Sequence, residues 1–337
     1  DIASCLVGSE MCIRDRLFTV KMNVDPLLNK KKYIVTTTIN HPTLAMHKFA
    51  RQEDWTLIVV GDKKTPHYDY EALDCIYLHP DEQEEKYPKL SKTIGWNSIQ
   101  RRNIGFVEAY NLGADIVATV DDDNIPYESW GKNVIVGETT EIDFYNSDLG
   151  VCDPLSVTEH KDHIWHRGYP IDMVPYRHRV SYGGKLKRKV LVQADLWDGD
   201  PDIDAIGRLG VRPIVKFDKI QSPYGFTCYS PFNSQNTFLD SEVIPYYSVF
   251  PHVGRMDDIW GGYVMQHYFP NSVVYNKASV YQERNKQDLV TNLENEIIGY
   301  RYTTELIQNM VDWESVVPKE TVQFWEAYRE CFNEICD

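Results

Sequence analysis

The chain has 337 residues, 42% hydrophobic and 25% charged, the balance of a globular protein with one large α/β domain or two smaller ones. With 50 acidic against 35 basic residues the net charge is −15, which disfavours a nucleic-acid or anionic-membrane surface outside a local basic groove. No run approaches the roughly 18–20 apolar residues of a membrane span, so no transmembrane segment is expected in the chain as given.

At the N-terminus, Leu6 to Arg16 reads LVGSEMCIRDR, without helical or strand periodicity, and matches one reading frame of a sequencing-library transposase adapter. Residues 1–16 are therefore expected to be an artefactual leader that contributes nothing to the fold. Cys5 and Cys12 go with it. The remaining Cys75, Cys152, Cys228, Cys331 and Cys336 are odd in number, scattered and without a C-x-x-C pair. That pattern predicts a reducing, cytoplasmic setting rather than a disulfide framework.

From there strand and helix signals alternate. Tyr33 to Ile39 is β-rich and ends at Asn40-His-Pro42; Thr43 suits a helix N-terminus, with a short helix through Phe49. Trp55 to Val60 is a second apolar strand ending at Gly61-Asp62, and Cys75 to Leu78 a short third. Between Trp96 and Leu112 the apolar positions Ile99, Ile104, Val107 and Tyr110 recur at near-helical spacing, with Gly113 as C-cap. Ile116-Val-Ala-Thr-Val120 is then a buried strand running into Asp121-Asp-Asp123. This β-α-β order predicts a mostly parallel sheet with right-handed crossovers. Residues 125–230 are irregular, and the basic stretch Lys185 to Lys189 beside Gly183-Gly184 reads as a solvated hairpin, not a phosphate loop. From Gln287 onward the chain is helical, with a helix start marked by Pro318.

Chemistry is concentrated at the strand ends. Carboxylates one residue apart at the C-terminal edge of a parallel strand lie where open α/β sheets bind ligands, and can share a hard divalent cation that bridges phosphates. The bland alternative is a strand-end Asx-turn. Beside it, Thr37 to Asn40 and Gly61-Asp62-Lys63-Lys64 would bring hydroxyls, an amide, a carboxylate and ammonium groups to one crevice. Arg101 and Arg102 reach either a phosphate or acidic surface residues. Asp257-Asp258 cap a helix or supply a general base. Asn233, Gln235 and Asn236 suit a hydroxyl-rich ligand or a turn. Two metal motifs fail: residues 198–209 resemble a calcium loop but have Ile203 and Leu209 where glycine and glutamate are needed, and His160, His163 and His166 cannot share one helical face. No G-x-S-x-G and no G-x-G-x-x-G appears.

Taken together, residues 34–40, 54–66, Arg101-Arg-Asn-Ile-Gly105, Asp121-Asp-Asp-Asn124, Trp165-His-Arg-Gly-Tyr-Pro170, Gly199 to Ala205, Asn233-Ser-Gln-Asn-Thr237 and Gly254-Arg-Met-Asp-Asp-Ile-Trp260 resemble the STELLO family of glycosyltransferases. The aspartate run, Leu196-Trp197 with residues 201–205, and residues 257–260 are also similar to the reversibly glycosylated polypeptides that act as UDP-arabinopyranose mutases. The resemblance implies an α/β GT-A-type fold: a Rossmann-like, mostly parallel sheet flanked by helices over residues 17–285, with a nucleotide-binding half at 33–125 and an acceptor half at 126–285. A C-terminal helical extension follows at 286–337.

The implied activity is metal-dependent transfer of a sugar from a nucleotide-sugar donor, a UDP-sugar first, to a glycan or other hydroxyl acceptor. Asp121 and Asp123 are expected to hold Mn²⁺ or Mg²⁺. Thr37, Asn40 and Asp62 would line the base and ribose pocket, with Lys63 and Arg102 on phosphate or ribose; Asn103 and Asp122 would also bind the nucleotide sugar. Asp258, and second Asp257, would act as base; Asn233, Gln235, Asn236 and Trp260 would face the acceptor. A sugar-nucleotide mutase, a nucleotidyltransferase and a non-catalytic glycan-assembly partner are the alternatives.

Overall fold

β-Branched residues lose little by extension and pack well on a pleated surface, and the Ile-Val-Thr-rich runs of this chain all become strands. In the computed structural model, which describes residues 30–220, 223–284 and 287–333, the strands are β1 (Lys32–Thr38), β2 (Trp55–Gly61), β3 (Ile76–Leu78), β4 (Ile116–Val120), β5 (Asn124–Pro126), β6 (Thr139–Asn146), β7 (Ser181–Lys189), β8 (Val192–Gly199), β9 (Tyr224–Phe226), β10 (Asn236–Asp240) and β11 (Val273–Gln282). The expected leader, residues 1–16, lies outside the described residues.

These strands form one sheet in the order β3-β2-β1-β4-β10-β8-β11-β9-β6-β7, with β5 on β11. β3, β2, β1 and β4 run parallel, as the β-α-β order predicts. β10 enters antiparallel between β4 and β8, while β8–β11 and β6–β9 are again parallel. The α/β sheet flanked by helices that the sequence predicts is the architecture found. Ile34, Val35, Ile58, Val59, Val60 and Val117 are fully buried, as strands covered on both faces must be.

Close helix packing carries the site toward the strand ends. A Cβ on Gly105 would lie 2.5 Å from Val35 Cγ1 and 2.8 Å from Val60 Cγ2, so the helix Arg102–Asn111 sits directly on β1 and β2. That helix starts later than its periodicity suggests. Asn97 takes a positive φ of 56°, the Ser98 hydroxyl accepts from Gln100 N, and a 3₁₀ turn Ile99–Arg101 precedes Arg102. Thr43 caps the helix Leu44–Phe49 as predicted, accepting from Met46 N.

The basic stretch 185–189 belongs to β7, which pairs antiparallel with β6 across 34 intervening residues, so it is an exposed edge strand of a long-range pair. In the calcium-like stretch the carboxylates are spent on the protein: Asp198 accepts from Tyr127 and Phe217 N, Asp202 from Arg167, and Asp204 caps Gly207 N. The C-terminal helices Leu289–Gln308 and Lys319–Asn333 pack back on the sheet's helical layer, where Tyr328 donates to the carbonyls of Ile244 and Tyr247. From Lys31 onward the chain clusters as one compact unit. No helix among the described residues is long and apolar enough to cross a membrane.

Candidate active site

Chain direction puts the C-terminal ends of β1, β2 and β4 side by side, and each leads into polar residues. After β4 the three aspartates divide between two hollows. Asp121 and Asp123 line a cleft of about 620 Å³, and Asp122 lines a neighbouring pocket of about 220 Å³ with Thr37, Thr38, Asn40 and Asp62. Asn97, Ser98 and Ile99 form a wall common to both.

In the smaller pocket the Asp122 carboxylate accepts from Thr38 Oγ1 and from Asn40 Nδ2 at 2.9 Å. Asp62 is buried, and its carboxylate takes the backbone N–H groups of Lys63, Asn97 (2.9 Å) and Ser98 (3.2 Å). It builds the common wall as much as it lines the pocket. Thr37 donates its hydroxyl to Val60 O.

The larger cleft is acidic and held by buried arginines. The antiparallel register of β10 against β4 pairs Asn236 with Val120 and brings Gln235 and Ser234 beside Asp121. Arg102, 1% exposed, donates Nη2 to Asp121 Oδ1 and Nη1 to Ser234 O and Oγ, both at 2.7 Å. Opposite, Arg167 donates Nε to Asp202 at 2.9 Å and Nη2 to Asp258 Oδ1 at 3.1 Å. Asp258 also accepts from Ser234 N (2.8 Å) and Oγ (3.0 Å). Burial works to raise Asp258, but Arg167 outweighs it and holds the carboxyl below its usual range. Asp257, one residue earlier on the first turn of the helix Asp257–Tyr268, has Gln100 Nε2 at 2.8 Å; burial and its neighbour Asp258 push it up to about 7. Asp123 is likewise pushed up to about 7, by burial and then by Asp121, with Arg284 acting the other way. Its Oδ1 is buried and has no hydrogen-bond partner.

Several expected residues stand elsewhere. Lys63 is not in the lining of either hollow: its ammonium lies 3.7 Å from Glu84 and 4.5 Å from the Trp96 ring centroid. Asn103 is a buried clamp, exchanging hydrogen bonds with Val249 O and N, both at 2.8 Å. Asn233 donates to Asp202, Asn236 to Leu196 O and Ser279, and Trp260 to Thr303 from within the core. Of that group Gln235 reaches the cleft, its Oε1 without a partner. Arg167, Arg255 and Arg284 line the cleft without having been singled out. Arg167 lies in a stretch that carried the family resemblance; nothing local marks Arg284.

Among the described residues no group of three or more His, Cys, Asp or Glu side chains is placed to hold a metal ion. The pair Asp121 and Asp123, on one cleft with an orphaned carboxylate oxygen, suits a cation that completes its shell from a ligand and water.

No family model matches the chain. It is 24% identical over 296 residues to the probable glycosyltransferase STELLO2 of Arabidopsis thaliana, covering 78% of this chain and 38% of that protein. To STELLO1 of the same plant it is 22% identical over 231 residues, covering 63% of this chain and 29% of that protein. The chain thus spans under two-fifths of the length of the relatives it matches. A solved structure of glucosyl-3-phosphoglycerate synthase from Mycobacterium tuberculosis with phosphoglyceric acid aligns over 83% of this chain and 80% of its own, at 12% identity and a TM-score of 0.43. The same enzyme with Mg²⁺ and UDP aligns at 9% identity and the same TM-score.

Proposed function

We infer that this chain, a relative of the STELLO-type glycosyltransferases, transfers a sugar from a nucleotide-sugar donor to a hydroxyl acceptor with the help of a divalent cation. The observation that carries the reading is the division of the aspartate run: two carboxylates on an acidic cleft, the third in an adjoining pocket at the sheet's C-terminal edge. The smaller pocket takes the nucleoside, with Asn40 and Asp122 at its polar edge. Asp121 and Asp123 hold Mn²⁺ or Mg²⁺, which when bound offsets the charge gathering on the departing diphosphate. Arg284, on the same cleft and ion-paired to Asp200 (3.7 Å) and Asp202 (4.0 Å), is the protein's own cation acting on Asp123.

The acceptor lies over Gln235 and the start of the helix Asp257–Tyr268. Its oxygen bonds to the anomeric carbon, the nucleoside diphosphate leaves with the electron pair of the broken bond, and in an inverting transfer the hydroxyl proton passes to Asp257. Asp257 suits that role better than Asp258. Burial and Asp258 push it up toward the range of a general base, whereas the Asp258 carboxylate is occupied by Arg167 and Ser234.

Thermal unfolding of the chain and of Asp121→Asn against nucleoside diphosphates and nucleotide sugars, with and without Mn²⁺, tests the reading. Ligand at 100-fold over its Kd adds about 2.7 kcal/mol to native stability. A rise requiring both cation and one nucleotide base, lost in Asp121→Asn, is expected. No rise with any nucleotide in a well-folded sample would favour a non-catalytic partner.

A further inference from the structure

Away from the cleft, Cys152 and Cys228 face each other with their sulfurs 2.8 Å apart, within about 1 Å of the disulfide bond length of about 2.05 Å. Cys152 is fully buried and Cys228 half-buried. Their backbones hold them in register: Val151 bridges Tyr229 in parallel, Cys152 N donates to Tyr229 O at 2.8 Å, and Tyr229 N donates to Gly150 O at 3.2 Å. Cys75 and Cys331 have backbone carbonyls as partners instead, those of Tyr70 and Ala327.

We propose that Cys152 and Cys228 are a modification site that closes into an intrachain disulfide by exchange with a low-molecular-weight disulfide, such as oxidised glutathione. The Cys228 thiolate attacks one sulfur of the reagent, forming a mixed disulfide and releasing one thiolate. Cys152 then gives up its proton and attacks the Cys228 sulfur, expelling the second thiolate. One S–S bond is broken and one formed, and the two electrons of the paired cysteines end on the two released thiols. The order follows access: Cys228 is half-buried and Cys152 fully buried, so the reagent meets Cys228 first.

Such a bond would staple the two segments that support the buried arginine centre. Cys152 adjoins Asp153, whose carboxylate receives His166 N, the residue before Arg167. Cys228 opens the run to Ser234, a run pinned by Gln266 and Tyr275 at Ser230. The closure joins residues 76 apart in sequence, so it restricts the unfolded chain strongly. The sequence expectation of a reducing setting rested on an odd, scattered cysteine set without a C-x-x-C, and the 76-residue separation concealed this pair.

The test uses the full chain, incubated with oxidised glutathione, alkylated at its remaining thiols, digested without reduction and mapped by mass spectrometry. The expected result is one cross-linked species joining the Cys152 and Cys228 peptides, with Cys75 and Cys331 recovered alkylated. The oxidised chain should unfold on the order of 5 °C above the dithiothreitol-treated chain, and Cys228→Ser should show no such difference. Recovery of Cys152 and Cys228 as alkylated thiols, or of Cys228 as a lasting glutathione adduct, would overturn the proposal. Neither result depends on nucleotide binding, so it stands or falls apart from the glycosyltransferase reading.

Discussion

Arg167 is buried between two carboxylates, giving Nε to Asp202 and Nη2 to Asp258, and holds both below the usual carboxylate range although burial opposes it. A buried pair of this kind adds little over an apolar replacement of the whole set, but removing one member leaves unpaired charge in a poor solvent. Arg167→Met should therefore lower unfolding stability by about 3–5 kcal/mol, read by urea denaturation. A loss below about 1 kcal/mol would show that the carboxylates simply take up protons. The two neighbouring aspartates should separate in the same measurements. Asp257→Asn is expected to keep stability and lower kcat by about 10²- to 10⁴-fold, once a donor is known. Asp258→Asn is expected to destabilise the chain first. Equal kcat losses with equal stability would remove the distinction between them. Sequence reading placed both aspartates at the helix start and favoured Asp258 as base, because what separates them is their partners from distant loops.

At the scale of elements, the parallel block and its caps were legible because their signals are local. Thr43 as N-cap, Gly113 as a positive-φ C-cap and the Ile116–Val120 strand all stand where the residues predict. The helix carrying Arg102 was legible, its start less so, because a Ser98-capped 3₁₀ turn has no periodic signature. Gly105 is the contact that sets the helix on the sheet. Gly105→Ala gains helix propensity of about 1 kcal/mol, yet its Cβ must displace Val35 and Val60, both stiff at χ1 and fully buried. Overpacking of that kind costs about 1–3 kcal/mol, so the variant should be neutral to about 2 kcal/mol less stable, and Gly105→Val worse. Gains in stability for both would mean that the helix can move off the strands freely.

For the molecule as a whole, the buried carboxylates away from the cleft predict an unusual pH dependence. Burial pushes Asp153 and Asp195 up to about 7 and Asp204 to about 6. The unfolded groups titrate near about 3.9, so between roughly pH 4 and 7 the folded chain binds more protons and these groups lose stability as pH rises. His166, held below its usual value by burial, pulls the opposite way on acidification, and Asp202 matters only below about pH 4. Asp195→Asn isolates one contribution. It should match the parent chain near pH 4 and exceed it near pH 8 by on the order of 2–4 kcal/mol, as read by denaturation at both pH values. Parallel pH profiles for the two chains would rule this assignment out.

By itself the sequence determined the strands and helices of the parallel block and the strand-end position of Asp121 to Asp123, because each depends on residues within a few positions of one another; residues 125–230, expected to be irregular, instead carry β5 to β9, whose pairing is long-range. Tertiary structure alone decided which carboxylates are free. Adjacent helix positions differ by about 100° around the axis, so Asp257 and Asp258 meet different neighbours, and only the folded chain brings Arg167 and Ser234 to one of them. The same reason hid Arg284 beside Asp123 and the Cys152–Cys228 contact: each joins residues separated by long stretches of chain, and pairing at that range is set by sheet order and packing rather than by local pattern.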